Sequence, residues 1–411
     1  MRNTAIAYFI IILLAASVFF LLIPGIGAFL TRARWRRFRK LVQEASRYPF
    51  ARPEERENTG RYRFFGSLEA IQGEDRIWVT DGKLSVAVEM RDAMVHILPE
   101  ETEEEGAKAA EFSVLPWNRI FSLPEGTAML VAGEMHREGG RGVFRPRPGA
   151  PLLVVIYEGD RKNIIRRAIW GGRQHNEYWN EFTIPSLITG SFSLIVLTYL
   201  LLRNPDLRGL ALFALTLSLS PVIPFIPPGF PLYFAFRTLW HRARLMRAQR
   251  DVLRLPLHFF PKVDATPEGP LATLLPDMEP YLMVQGRYDA ENGRFLVGNR
   301  DRQGLAGTEF LLPADVERLD MSYPIPRRRQ VRAEDVSFLF GAYVAEGNTV
   351  RIRAPEDPMA ELLLIPGDPS MLADECSRNA RAFEILSGLI IGCNVAGNLL
   401  TLFLLLTRFT G

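Results

Sequence analysis

Four long apolar runs alternate with two long polar stretches along the chain. The first run extends from Thr4 to Leu30 without a charged side chain. At about 1.5 Å per residue, it is long enough to cross a hydrocarbon core of ~30 Å. The other uncharged runs are residues 184–202, 209–236 and 385–407. This pattern predicts about four transmembrane helices. Because a basic block follows the first run instead of preceding it, we expect a retained anchor, with a cleaved signal peptide as the alternative.

The polar stretches, residues 31–183 and 237–384, are each long enough to hold a domain. Each begins with a basic helical segment and continues with short runs rich in β-branched and aromatic residues. Residues 76–80 and 84–88 flank Asp81-Gly82, a dipeptide typical of tight hairpins. We therefore expect a mixed fold class, in which transmembrane α-helices carry two β-rich soluble domains. Each domain is predicted to be a small barrel or sandwich of α+β type, with an open sheet bearing one or two helices as the alternative.

The two halves of the chain follow one plan. Each half runs from an apolar span through a basic segment, a β-rich domain and a polar helix to a second apolar span. Short matches recur in the same order in both halves, which predicts an internally duplicated chain. The matched segments are Gly66-Ser67-Leu68-Glu69-Ala70 with Gly286-Arg287-Tyr288-Asp289-Ala290, and residues 152–156 plus Gly159-Asp160 with residues 362–365 plus Gly367-Asp368.

Basic residues are clustered, although the net charge is only +3. They crowd after the first and third spans and before the second, whereas the remaining loops carry few. An excess of Lys and Arg beside membrane spans marks the cytoplasmic side. We therefore expect both domains in the cytoplasm at a bacterial inner (plasma) membrane, with both termini outside. The small net charge gives no reason to expect nucleic acid as a partner.

Six of these arginines are candidates for contact with membrane lipid or with an acidic partner. An anionic leaflet attracts each nearby Lys or Arg by about 1 kcal/mol. The alternative is that the basic segments only fix the topology. The six are Arg36, Arg37, Arg39, Arg242, Arg244 and Arg247.

The third and fourth spans carry residues that break and pack helices. The prolines between Pro221 and Pro231 predict a kinked or shortened third helix, because proline removes a donor and clashes with the preceding turn. In the fourth span, small residues at GxxxG spacing and two asparagines favour close helix contact. We expect packing within the bundle, with a homo-oligomer contact or a ligand site as alternatives. The helix-packing candidates are Gly388, Gly392, Asn394 and Asn398.

The sequence carries no recognised arrangement of catalytic residues. The five histidines lack metal-ligand spacing such as HExxH, and two cysteines are too few for a Cys-rich zinc site. Neither a GxSxG turn, a phosphate-binding loop nor a Rossmann glycine pattern occurs. We therefore expect no catalytic site, no metal site and no cofactor. An acidic run from Glu100 to Glu105 is predicted to be a solvated loop.

A passage in the second half has an order of elements found in a known family. Phe340-Gly341-Ala342-Tyr343-Val344, then Val350-Arg351-Ile352-Arg353 and Pro355, lead to a Leu-rich strand, a polar helix and an apolar span. This passage resembles the membrane-flanked domain of the GIDE family, and the likeness is fainter in the first half. Those proteins are membrane-anchored ubiquitin ligases of mitochondria and plastids, with bacterial relatives. They end in a RING finger rich in Cys and His, which this sequence lacks, so the resemblance does not imply ligase activity.

Three functional hypotheses follow from these patterns. The first is a non-enzymatic binding or scaffold protein, which presents paired β domains to a protein, peptide or lipid partner at the membrane surface. The second is a component of a transporter or channel, in which the proline-rich span or Asn394 and Asn398 line a pore. The third is a membrane-bound enzyme of unrecognised type.

Overall fold

The computed structural model divides into two compact units. The helical unit comprises Met1–Arg37, Asn176–Leu245 and Arg378–Gly411, and the sheet unit comprises Phe38–His175 and Met246–Ser377. The structure describes residues 2–52, 59–98, 113–120, 122–147, 149, 151–174, 179–225, 227, 229–260, 271–289, 291–297, 309–313, 316–319, 336–346 and 349–410. The predicted acidic loop at Glu100 to Glu105 therefore lies outside the described residues.

Seven α-helices occur among the described residues. They are α1 (Arg2–Ser17), α2 (Ile23–Ala45), α3 (Ile164–Gln174), α4 (Thr183–Leu202), α5 (Arg208–Ser218), α6 (Phe230–Leu253) and α7 (Pro369–Thr410). A π-helical segment, Val18–Leu22, joins α1 to α2, so the first apolar run continues without interruption into the basic segment. In the helical unit α1, α4 and α5 share a small apolar core that includes Ile12, Leu194 and Ala211.

Three helical stretches are long and apolar enough to cross a membrane, judged by length and composition. They are Thr4–Ala45, Thr183–Leu202 and Pro369–Arg408, which contain the first, second and fourth predicted spans. The count of four spans therefore stays a prediction.

The predicted third span is divided between two helices. The 11 residues of α5 rise only about 16 Å, roughly half of a hydrocarbon core. Turns and a short 3₁₀ helix, Ile223–Phe225, separate α5 from α6. The break coincides with the proline cluster that predicts a shortened helix, and Pro231 lies in the first turn of α6, where proline is tolerated.

The first sheet contains eight strands. They are β1 (Gly60–Gln72), β2 (Arg76–Thr80), β3 (Ser85–Glu89), β4 (Met94–Leu98), β5 (Ser113–Pro116), β6 (Ala128–Glu138), β7 (Arg141–Arg145) and β8 (Leu153–Tyr157). Their order is β1-β2-β3-β7-β6-β8-β4-β5, and an additional β1–β6 pairing closes β1, β2, β3, β7 and β6 into a five-stranded barrel. Ile77, Val79, Val86, Val131 and Phe144 fill this domain's core.

The β2–β3 turn is longer than the sequence predicts. Strand β3 begins at Ser85, so four residues connect the strands, and Gly82 has a φ of +87°. Asp81 keeps a negative φ, because its carboxylate accepts hydrogen bonds from the backbone N–H groups of Lys83 and Leu84 at 2.8 and 2.7 Å. This Asx-type turn replaces the two-residue turn with two positive φ angles.

The second sheet has a related layout. Its strands are β9 (Leu271–Leu274), β10 (Pro280–Asp289), β11 (Arg294–Val297), β12 (Glu309–Leu311), β13 (Glu317–Arg318), β14 (Ser337–Glu346), β15 (Thr349–Arg353) and β16 (Leu363–Pro366). The order is β12-β11-β10-β14-β16-β13, with β15 on β14 and β9 on β10. Among the described strands, β12 and β15 lie next to each other without a hydrogen-bonded ladder between them.

Corresponding strands of the two sheets pair in one register. Tyr62 on β1 lies opposite Gly133 on β6, and Leu282 on β10 lies opposite Gly341 on β14. In the first sheet the last strand, β8, pairs antiparallel with β6 and parallel with β4. In the second sheet the last strand, β16, pairs antiparallel with β14 and parallel with β13. The two sheets therefore share both strand direction and residue pairing.

One glycine in each sheet is required by a close backbone approach. A Cβ atom on Gly66 would lie 2.7 Å from the carbonyl oxygen of Thr80, and a Cβ on Gly286 would lie 2.2 Å from that of Leu296. Both glycines occupy the same register position, at the point where β1 or β10 passes its neighbouring strand. Only a residue without Cβ fits there.

A Gly-Asp pair leads from each sheet into the next helical segment. Gly159 and Gly367 have φ angles of +78° and +99°. The side chains of Asp160 and Asp368 each accept a hydrogen bond from the backbone N–H two residues on, at 3.0 and 2.8 Å. These carboxylates cap the segments that start α3 and α7, as N-cap residues do.

Candidate functional site

A buried arginine joins the two sheets of the sheet unit. The Arg63 side chain, on β1, has no solvent exposure. Its Nη1 and Nη2 donate to the two carboxylate oxygens of Asp357 at 2.8 and 2.6 Å, and Nη2 also donates to Asp277 at 3.0 Å. The Phe50 ring lies 4.3 Å from the guanidinium carbon, within cation–π range. The planar fork of arginine matches a carboxylate in this bidentate geometry.

Turns of the second sheet position both carboxylates. Asp277 lies in the β9–β10 turn and also accepts from the backbone N–H of Phe50 at 2.9 Å. Arg52 lies 3.6 Å from Asp277, so two arginines face two aspartates. Asp357 follows β15 and accepts from the backbone N–H of Met359. The centre is therefore balanced in charge, and removal of one partner would leave a buried charge uncompensated.

A second charge centre surrounds Asp251 at the end of α6. Arg39 from α2, Arg173 from α3 and the adjacent Arg250 all donate to this carboxylate at 2.7–2.9 Å. Burial alone raises the pKa of Asp251, but the three guanidinium charges outweigh it, and the pKa is lowered. Burial lowers the pKa of Arg173, Asp251 raises it, and Arg250 and Arg39 lower it further, with a net decrease.

Two histidines, the buried His96 and the half-buried His258, are neutral at pH 7. Burial lowers the pKa of His96 to about 4, against a backbone hydrogen bond to the Val154 carbonyl. Its ring stacks on Phe38 with centroids 4.3 Å apart. Burial likewise lowers the pKa of His258 to about 4. Neither histidine belongs to a group of metal-ligating side chains within the part of the chain that the structure describes.

His258 also forms a pair with serine that the sequence does not signal. Its Nε2 lies 2.7 Å from Ser46 Oγ, and its Nδ1 contacts the Leu255 carbonyl. A serine nucleophile needs such a base, but it also needs access to a substrate. Ser46 has no solvent exposure, and its hydroxyl is also within hydrogen-bond distance of the Gln43 carbonyl. The hydrogen bond between Ser46 and His258 therefore links two distant chain segments and does not form an accessible catalytic dyad.

The predicted lipid or partner contacts lie in different surroundings. Arg36, Arg37 and Arg242 are exposed, whereas Arg244 and Arg247 are half-buried. Arg39 is also half-buried, and its guanidinium is held by Asp251 at 2.9 Å. Thus the six arginines do not form one uniform surface.

The helix-packing candidates separate into two kinds. Asn394 is buried and its Nδ2 donates to the Gly229 carbonyl at 2.9 Å, in the break before α6. Asn398 donates to the Asn394 side chain at 2.6 Å. Gly388 and Gly392 are exposed, and a Cβ on either would meet no atom within 4 Å. The asparagines pack within the helical unit, and the glycines leave an open helix face.

Other irregular backbone in the helical unit is capped in the same way. Ser186 on α4 donates to the Phe19 carbonyl in the π-helical segment at 2.6 Å. Ser191 on α4 donates to the Ser218 carbonyl at the end of α5 at 2.7 Å. Side chains from neighbouring helices therefore satisfy carbonyls that a regular helix would have used.

No protein-family model, curated protein or solved structure matches this chain. The geometry alone therefore carries the functional argument. Of the features above, the Arg63 centre and the Asp251 centre bring distant parts of the chain together through buried charge. Sequence reasoning singled out Arg39 but neither set of acidic partners, because Arg39 is 212 residues from Asp251 and Arg63 is 214 and 294 residues from Asp277 and Asp357.

Proposed function

We propose that the chain is a non-enzymatic integral membrane protein that holds two β domains as one scaffold for a protein, peptide or lipid partner at the membrane surface. The Arg63 centre carries this proposal. A buried ion network tolerates few alternative arrangements, since each would leave a charge without a partner. Two domains fixed in this way can present one continuous surface to a partner. They are less suited to opening and closing around a substrate.

We further propose that the two halves arose by duplication of one membrane-flanked β domain. The shared register, the paired glycines Gly66 and Gly286, and the Gly-Asp caps support this. The resemblance to the GIDE family is consistent with the same layout, since its domain also lies between two spans. Bacterial inner-membrane location with cytoplasmic domains is the corresponding proposal for the whole chain, and it rests on the asymmetry of basic residues.

A transporter or channel component is the second candidate, favoured by the broken helix between α5 and α6. Discontinuous helices can build solute sites. Here the asparagine amides near the break already bond to Gly229 and to each other. An Asn398→Leu variant discriminates between the candidates. A scaffold would keep its partner binding, whereas a pore lined by Asn398 would change its conduction.

Spin-label distances test the scaffold directly. Ile71 and Leu274 are exposed, one on each sheet, and each can be replaced by cysteine after Cys376 and Cys393 are changed to alanine. We expect one narrow distance distribution in the purified full chain, and a broad one when Arg63→Met is added. A broad distribution without Arg63→Met would contradict a fixed pair of domains.

Reporter fusions test the orientation. A phosphatase active only outside the cytoplasm and a fluorescent protein are each fused after Glu105 and after Gly304. Fluorescence without phosphatase activity at both points is expected for cytoplasmic domains. Phosphatase activity at both points would reverse the orientation, and a split result would contradict the proposal that both halves cross the membrane alike.

A further inference from the structure

Three helices of the helical unit carry an exposed stripe that changes from apolar to basic along the helix. Residues four apart lie on one face of a helix, so each stripe is a series at that spacing. Every member of the three series is exposed. The series are Phe29, Ala33 and Arg37 on α2, Phe234, Thr238 and Arg242 on α6, and Arg381, Ile385 and Leu389 on α7.

The stripes of α6 and α7 lie on helices that meet at two points. In the helical unit, the Asn394 side chain of α7 donates to the carbonyl of Gly229, directly before α6. In the sheet unit, Arg254, directly after α6, pairs with Asp374 of α7 at 2.8 Å. From the first contact to the second, α6 runs forward along the chain and α7 runs backward. The two helices are therefore antiparallel.

The basic ends of these two stripes lie at one level. Arg242 follows Gly229 by 13 residues, and Arg381 precedes Asn394 by 13 residues. At about 1.5 Å per residue, both arginines lie ~20 Å from the Gly229–Asn394 contact along their helices. Within the part of the chain that the structure describes, no hydrogen bond or ion pair holds Arg37, Arg242 or Arg381. Their guanidinium groups are therefore free to bind a ligand at the level where the exposed apolar surface ends.

We infer that Arg37, Arg242 and Arg381 bind the headgroups of anionic phospholipids, whose acyl chains lie along the apolar part of each stripe. The planar guanidinium group matches phosphate oxygens bidentately. An acidic protein could cover the charges, but a phospholipid covers the adjoining apolar side chains as well, because it joins an anionic headgroup to apolar chains. This inference rests on the proposed membrane function and specifies its lipid partner.

Competition between two lipids tests the inference. The purified full chain in detergent receives equimolar phosphatidylglycerol and phosphatidylcholine with the same acyl chains, and native mass spectrometry counts the lipids that are retained. We expect phosphatidylglycerol to be retained about fivefold more often, the factor by which an anionic surface attracts a nearby arginine. The triple variant Arg37→Gln, Arg242→Gln and Arg381→Gln should bring the two lipids to within about twofold of each other. Arg→Lys at the same three positions should preserve most of the preference.

A charge-matched control separates these sites from the net charge of the chain. Lys83→Gln, Arg91→Gln and Arg119→Gln together also remove three positive charges, at exposed positions between strands of the first sheet. This control should leave the preference within about twofold of that of the parent chain. Equal loss in the two triple variants, or no preference in the parent chain, would overturn the inference. Displacement of the lipid by excess glycerol phosphate would also overturn it, since the acyl chains would then contribute nothing.

Alkaline extraction of membranes distinguishes failure of this inference from failure of the proposed function. We expect the parent chain and both triple variants to stay in the membrane fraction. If the parent chain stays there but shows no preference for phosphatidylglycerol, the lipid sites are wrong and the membrane function stands. If the parent chain is released from the membranes, the proposed membrane function is wrong as well.

Discussion

The two sheets share a register but differ at one buried position. In the first sheet, Arg63 on β1 lies opposite Ala132, next to the pair Tyr62 and Gly133. In the second sheet, Met283 on β10 lies opposite Phe340, next to the pair Leu282 and Gly341. Arg63 and Met283 therefore occupy equivalent positions. Both side chains are almost wholly buried, at 0% and 1% exposure. In the second sheet the position is ordinary apolar core, whereas in the first it carries the charge that joins the domains. Thus a substitution at one core position of one domain is enough to give two similar domains a specific contact with each other.

The largest effect is expected when Arg63 is replaced by methionine, the residue at the equivalent position of the second sheet. Arg63→Met leaves Asp277 and Asp357 buried without their main partner. We expect a loss of about 3–5 kcal/mol in the free energy of unfolding, measured by denaturant titration. Met283→Leu is the matched control in the second sheet and should cost less than about 1.5 kcal/mol.

A rescue variant sharpens the interpretation of that result. Adding Asp277→Asn and Asp357→Asn to Arg63→Met removes the orphaned charges, so much of the stability should return. If the triple variant were no more stable than Arg63→Met, the buried charges would not be the cause of the loss.

The next largest effect is the pH dependence of stability that His96 contributes to the first sheet. His96 in the first sheet has a folded-state pKa of about 4, below the ordinary value of 6.5. Its stabilising contribution is full above pH 6.5 and is lost as pH falls toward 4, because the unfolded chain takes up the proton first. At about 1.4 kcal/mol per pKa unit, the loss reaches roughly 3 kcal/mol.

His96→Phe keeps a ring against Phe38 and removes this titration. Its stability should vary less between pH 7 and pH 4 than that of the parent chain, in unfolding curves taken at several pH values. A residual pH dependence is expected from His258, whose pKa is lowered in the same direction. An unchanged pH dependence in His96→Phe would mean that His96 is not the titrating group.

Alanine at the paired glycines tests the shared register. Gly286→Ala would place a Cβ 2.2 Å from a carbonyl oxygen, and Gly66→Ala would place one at 2.7 Å. Both substitutions should lower the free energy of unfolding by about 1–3 kcal/mol in thermal unfolding, with the larger loss at Gly286. Gly388→Ala is the control, since its Cβ meets nothing within 4 Å and alanine favours a helix by up to about 1 kcal/mol. If Gly66→Ala were harmless, the close approach would not constrain the first sheet.

The smallest effect contrasts two ion pairs at the helices that follow the sheets. Arg166 on α3 pairs with Glu361 at 2.7 Å, with side chains 13% and 8% exposed, whereas Arg254 pairs with Asp374 at 2.8 Å, with side chains 50% and 69% exposed. Arg254→Gln should change stability by less than about 1 kcal/mol. Arg166→Gln should cost more, because Glu361 would stay buried. If thermal unfolding showed the same loss of stability for Arg166→Gln and Arg254→Gln, burial would not distinguish the two ion pairs.

Much of the fold could be predicted from local pattern. Apolar run length predicts α4, the hairpin residues predict β2 and β3, and the proline cluster predicts the interruption near Pro221. These signals work because each reports on neighbouring residues, whose spacing sets helix, strand or turn. The order of the short matches likewise locates the strands that share a register.

The charge centres could not be predicted in this way. Arg63 alternates with Tyr62 and Phe64, a pattern typical of a solvent-facing side chain on a strand. Its burial depends on Asp277 and Asp357, which are 214 and 294 residues away. Local periodicity contains no information about a partner so distant. The same holds for Asp251, which follows a run of arginines and reads as one charge among many.

The π-helical segment at Val18–Leu22 has a consequence for insertions and deletions. Each residue turns an α-helix by about 100°, and a π-helical turn accommodates one residue more than an α-helical one. The faces of α1 and α2 are therefore offset by about one residue. A single-codon deletion in this segment would remove the extra residue and restore uninterrupted α-helix, and Trp35 would keep the direction it now faces relative to α1. A one-codon deletion should thus be tolerated better in this segment than in the regular turns of α2, where it would turn the following residues by about 100°.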